Sequence, residues 1–140
     1  MAALPDSARE LLESGRIAYL STTNRDGSPQ MTAVWVGVDG DDIVSGHLFD
    51  QRKLRNVRRD PRVSIAVEGD RVHPPGLKEH LIVYGRARIE EGGAPELLQR
   101  LAHVYLGPDV RFPPMDDPPP GFVLRTTPER LAGVGPWRPH

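Results

Sequence analysis

The stretch that most limits the fold lies at residues 17–38, where "IAYLSTT" and "PQMTAVWVGV" flank "NRDGS". Both arms are rich in β-branched and aromatic residues, and the Asp26-Gly27 pair between them tolerates the positive φ of a tight hairpin turn. A β-hairpin with arms at 17–23 and 29–38 is therefore expected. "DGDD" at 39–42 turns the chain again, and "IVSGHLF" at 43–49 adds a third strand in meander order. A chain that opens in this way builds an antiparallel sheet rather than βαβ units.

The remaining elements follow the same logic. Before the hairpin, Ser7 and Glu10 have capping-box spacing, which predicts a short helix starting there and stopping at Gly15. Leu54 and Val57 are three apart and Pro61 ends any helix by Asp60, so 52–60 reads as a short helix. "RVSIAVEG" alternates as a half-buried strand, and "EHLIVYGRARIE" at 79–90 is a fifth strand. Residues 94–106 repeat apolar side chains at helical intervals, and "GFVLRTT" supplies a last strand before the tail "LAGVGPWRPH". Between them, residues 107–120 hold six prolines, as an irregular ordered loop or a mobile flap would. Six antiparallel strands with small helices predict a small closed or partly closed β-barrel in one domain, 1–140. A barrel wall of this size leaves apolar surface uncovered, which predicts a homodimer.

"DQRKLRNVRRDPRVS" at 50–64 packs six of the eighteen basic side chains into eleven positions, 52–62. Such a run can face solvent, grip nucleic acid or hold a phosphorylated small molecule. Helical spacing puts Arg52, Arg55 and Arg59 on one side, with Lys53 and Asn56 close by. The formal net charge is −1, so no overall field draws the chain to nucleic acid or an anionic membrane. Cysteine is absent, which removes disulfides and thiolate chemistry, and the histidines at 47, 73, 80, 103 and 140 lack metal-ligand spacing. The polar N-terminus and the lack of a long apolar run point to a cytoplasmic protein. No nucleophile elbow, Walker loop or Rossmann glycine pattern occurs, which favours a borrowed cofactor over protein-only catalysis.

The order of strand, "RDGSPQ" turn, strand, "DGDD" turn, strand and "RKLRNVRRDPRVS" resembles the flavin-binding split-barrel proteins related to pyridoxamine phosphate oxidase. More narrowly, it is similar to their short branch that uses the deazaflavin coenzyme F420, which the tail "GVGPW" also resembles. The likeness spans residues 17–89 and implies a six-stranded split barrel, dimeric, with cofactor sites between the two chains. It implies that Lys53, preceded by Gln51 and Arg52 and followed by Arg55, holds the cofactor phosphate. Thr32, Ala33, Val34 and Trp35 would line the ring, partly through backbone. Gly46 and His47 would lie beside the ring and ribityl chain, His80 would reach the cofactor from the fifth strand, and Trp137 would cap the site or close the barrel end.

The departures are specific. Gln51 stands where the FMN-using oxidases often have serine, Thr32 and Gly37 where they carry Arg and Lys, and the extension that reads pyridoxal phosphate is missing. The resemblance therefore implies hydride transfer from reduced F420 to an unsaturated small organic substrate, with His47, Arg125 and Tyr105 as candidate proton donors or anion stabilisers. The rival readings are an FMN-dependent oxidoreductase of the same fold and a non-catalytic protein that binds F420 or haem. The 107–120 loop would serve as a lid.

Overall fold

A computed structural model describes residues 3–137, which form seven strands and three helices. In chain order they are α1 (Asp6–Leu12), β1 (Ala18–Thr23), β2 (Pro29–Val34), β3 (Gly37–Asp39), β4 (Asp42–His47), α2 (Arg52–Arg59), β5 (Arg62–His73), β6 (Leu77–Glu91), α3 (Ala94–Tyr105) and β7 (Phe122–Val134). The strands make one antiparallel sheet in the order β2-β1-β5-β6-β7-β4-β3. The mainly-β antiparallel class expected from sequence is the class observed.

The count is seven rather than six because the expected 29–38 strand is divided at Trp35 and Val36. Its first part pairs with β1 and its second with β4, at opposite edges of the sheet. Three peptide steps from Val34 to Gly37 reach no more than about 11 Å. The two edges are therefore tied together without being hydrogen-bonded to each other, so the sheet curls around and leaves a slot at that corner.

Alternation along the strands sends Leu20, Val34, Ile43, Ile65, Val67, Leu81, Val83 and Leu124 inward. Helix α1 adds Leu11 and Leu12 to this core, and α2 adds Leu54 and Val57. Helix α3 lies outside, with buried Leu98 and Leu101 against β3 and β4. That approach depends on glycine: a Cβ on Gly46 would stand 3.0 Å from Leu98 Cγ, and one on Gly37 2.9 Å from Leu101 Cδ2.

Two local expectations need correction. Helix α1 starts at Asp6, with Pro5 (φ −61°) preceding it and its carbonyl accepting from Arg9 N, so Ser7 lies inside the helix and no side-chain cap forms. The last strand continues through the expected tail to Val134. Pro128 does not end it, because the register shifts between Tyr84↔Arg130 and Gly85↔Pro128, leaving Glu129 as an extra residue in a bulge that accommodates proline.

No helix among the described residues is long and apolar enough to cross a membrane. No group of three or more His, Asp and Glu among them gathers as a metal site. His140 lies outside the described residues.

Candidate functional site

Helix α2 is short and strongly two-sided. Arg52 and Arg55 point to solvent while Lys53, Leu54, Asn56 and Val57 are buried. One helical step of about 100° separates Arg52 from Lys53, so consecutive basic residues serve different sides of the helix. The lysine stem supplies apolar packing, which is how the side chain can turn inward.

Lys53 is 8% exposed and lines a cavity of about 350 Å³ at the unclosed corner of the barrel. Among the described residues, no carboxylate approaches its amine within 4.0 Å and no hydrogen bond to it is found. Burial pushes its pKa below the ordinary lysine value. Gln51 and His47 complete the polar end, reached from the preceding turn and the last residue of β4. Ala33, Val34 and Trp35 enter from β2 and the crossing, Gly46 from β4.

His47 is buried, and its Nε2 meets Ser45 Oγ at 2.8 Å. Burial, reinforced by the Lys53 charge, lowers its pKa to about 4 despite a Gln51 hydrogen bond that acts the other way. At neutral pH it is an uncharged imidazole with one donor and one acceptor.

An aromatic wall closes the other end. Trp35 stacks on Tyr105, with ring centroids 5.3 Å apart and planes 17° from parallel, and Phe112 tilts against it at 5.1 Å. Tyr105 Oη donates to Arg16 O and accepts from Val36 N, pinning the β2–β3 crossing on which Trp35 sits. Its phenol is raised in pKa, chiefly by burial. Gln99 fixes the proline-rich loop by donating to Val110 O and accepting from Phe112 N, which brings Phe112 into the cavity lining.

Seven residues named from the sequence thus meet at one cavity: Ala33, Val34, Trp35, Gly46, His47, Gln51 and Lys53. The others do not line it. Thr32 sits on β2 with its Oγ1 buried and unpartnered, the one such side-chain atom among the described residues. Arg52 and Arg55 face a separate cavity. His80 lies on the outer face of β6, its Nδ1 against Lys78 O. Trp137 is buried in the barrel core and its Nε1 donates to Ala132 O. Arg125 is held by Asp39, Asp42 and Glu90 on the α3 side, and these carboxylates raise its pKa. Tyr105 braces the wall from behind.

Ile17, Leu48, Phe49 and Leu98 also line the cavity, although the sequence did not single them out. Their apolar character suits barrel core equally well, so no sequence signal separates the two uses. A cavity with one buried amine at its polar end and an aromatic wall at the other suits a planar molecule that carries an anionic group.

A histidine whose pKa is depressed takes up its proton later than the unfolded chain does. Between pH 6.5 and about 4 the unfolded state therefore carries the extra proton, and stability falls as pH falls; above pH 6.5 His47 contributes no pH dependence. The stability difference between wild type and His47→Gln should shrink by up to about 3 kcal/mol from pH 7 to pH 4.5. Urea unfolding at both pH values checks this, and a constant difference would contradict it.

Comparison with known proteins shows the family and the fold. The sequence pattern of the pyridoxamine 5'-phosphate oxidase family matches residues 4–135. Among solved structures, a protein described as an F420 reductase is 25% identical, with a TM-score of 0.73 over 92% of this chain and 98% of that one. A conserved hypothetical protein from Mycobacterium tuberculosis is also 25% identical, with a TM-score of 0.69 over 95% of this chain and 85% of its own. An FMN-binding protein from Syntrophomonas wolfei shares the fold at 15% identity, with a TM-score of 0.66 over 94% and 86% of the two chains. No curated protein sequence matches. With the family pattern running from α1 to the end of β7, the chain belongs to the pyridoxamine 5'-phosphate oxidase family.

Proposed function

We propose that the chain is an oxidoreductase that binds the deazaflavin coenzyme F420 in the Lys53 cavity and reduces an unsaturated small organic substrate. The observation that carries this reading is the buried Lys53 amine with no carboxylate beside it. An isolated buried amine is unfavourable, and a bound phosphate supplies the missing counter-charge. The structural relative described as an F420 reductase, which covers nearly all of both chains, favours the deazaflavin. The FMN-binding and FAD-binding relatives of the same fold make FMN the second reading, and non-catalytic binding of F420 or haem is the third.

On this reading Lys53 and Gln51 hold the phosphate. Ala33, Val34, Trp35 and Gly46 position the ring, and His47 offers a neutral hydrogen bond beside it. A reduced deazaflavin, when bound, supplies the hydride. Trp35 and Phe112 shield one side from water, and the balancing proton comes from solvent. The chain's part is anchoring, orientation and exclusion of water.

The outer face of β1 and β2 favours a homodimer. Ile17, Tyr19 and Met31 are 43%, 47% and 65% exposed there, no helix covers them, and Ile17 also borders the cavity. A second copy on this face would bury that apolar surface and close the cavity's open side.

Lys53→Met should weaken cofactor binding by about 1.5–3 kcal/mol, roughly 10- to 150-fold in Kd, while raising the stability of the free protein. Fluorescence titration with F420 and, separately, FMN reads the first effect and thermal unfolding the second. Unchanged binding of both would reject the cofactor reading; loss confined to FMN would select the second one.

Phe112→Ala should lower kcat of substrate reduction more than it changes cofactor Kd, and equal rates in the two proteins would reject a lid role for the 107–120 loop. Met31→Glu should shift the mass measured by light scattering from dimer to monomer and weaken cofactor binding with it. A wild-type monomer would reject the dimer.

A further inference from the structure

On the far side of α2 from Lys53, a second cavity of about 380 Å³ opens against the β1–β2 turn. Arg25 enters from the turn and Arg52, Arg55 and Arg59 from the helix, with Asn24, Asn56 and Asp26 between them.

Four of the six described arginines that hold no carboxylate within 4.0 Å lie together here. Nine of the eleven other described arginines hold one; the two that do not, Arg100 and Arg130, lie outside this cavity. Arg59 donates to Thr23 O and Asn56 Oδ1, and Arg55 to Asp50 O, which are neutral acceptors. Asp26, the one carboxylate in the wall, accepts from Ser28 N and Oγ. Acids are not scarce, since 19 Asp and Glu face 18 Lys and Arg in the chain. The clustering is therefore local.

The cavity is also firmly built. Asn56 is 3% exposed, and its Nδ2 donates to Thr22 Oγ1 at 3.1 Å, Asn24 Oδ1 at 3.0 Å and Gln30 Oε1 at 3.3 Å. That fork fastens α2 to the turn and holds the guanidinium groups at a set spacing. Four forked donors around one concavity match ligands with several anionic oxygens, because each guanidinium can bind such a group bidentately. The concave shape and the chain's overall charge favour a small ligand over a nucleic acid strand.

We propose that this cavity is a second anion site, for a small ligand carrying two or more phosphate or carboxylate groups. It stands independently of the cofactor reading, because Lys53 and the arginines line different cavities.

The test is calorimetric titration with inorganic pyrophosphate of the wild type and of Arg52→Gln/Arg55→Gln, Arg25→Gln, Lys53→Gln and Arg58→Gln/Arg62→Gln. The last pair removes the same charge from arginines already paired with Asp50 and Asp60. The account expects binding by the wild type, a loss of about tenfold or more in Arg52→Gln/Arg55→Gln and a smaller loss in Arg25→Gln, with Lys53→Gln and the control pair within about twofold of wild type. Arg25→Gln, in an exposed turn, keeps the test valid if the helix variant fails to fold. Absence of wild-type binding, an equal loss in the control pair, or a loss confined to Lys53→Gln would each overturn the proposal. Repeating the titration with F420 bound separates two sources of the anion: unchanged binding indicates a free ligand, and competition indicates the anionic end of a molecule seated at Lys53.

Discussion

Two residues, Trp35 and Val36, carry the chain from one edge of the sheet to the other, and the rest of the architecture answers to that crossing. They make a seven-stranded sheet curl without letting its edges pair, so the barrel has one unclosed corner. The Lys53 cavity lies at that corner, lined from both edges by Ala33, Val34, Gly46 and His47. The Tyr105 hydroxyl braces the crossing by bonding Arg16 O and Val36 N, and its ring is the surface on which Trp35 rests. Architecture and site thus share a single constraint. A fully hydrogen-bonded barrel would have no slot there.

Helix α2 distributes charge across this arrangement. Its inward face places one amine in a largely apolar surround, and its outward face presents arginines to the β1–β2 turn. The buried amine is costly while it stands alone and becomes favourable beside an anion, so binding and stability at Lys53 are opposed. His47 adds a neutral hydrogen-bonding group at neutral pH, kept so by burial and by the lysine's own charge. The cavity is therefore polarised, with its one cation at the end away from the aromatic wall.

Much of the fold was legible because local signals agreed with tertiary demands. Asp26-Gly27 sits at the hairpin tip, Leu54 and Val57 are the buried face of α2, and α3 covers 94–105, one residue short of its expected end. The failures have physical causes. The 29–38 run reads as one strand because Trp35 and Val36 are good strand residues, and only the pairing of its two halves with different edges divides it. The last strand runs past the expected "GFVLRTT" to Val134 because the bulge in the β6–β7 ladder that carries it through Pro128 is a tertiary feature. In the site, the basic run was visible but its division was not. Lys53 turns inward because of what α2 covers, whereas Arg52 and Arg55 face a different cavity. Arg125 looked available in sequence, yet residues 35 to 86 positions away hold its guanidinium.

The central claim is that the buried Lys53 amine is the counter-charge for an anionic cofactor. The chain has two lysines, Lys53 and exposed Lys78, so NMR of the protein labelled at lysine Cε gives one signal for each. A titration followed on these signals, with and without bound F420, reads the amine directly. The account predicts that Lys53 titrates below the ordinary lysine value in the free protein and moves upward when the cofactor binds. A Lys53 signal whose titration stays the same with the cofactor bound would contradict it.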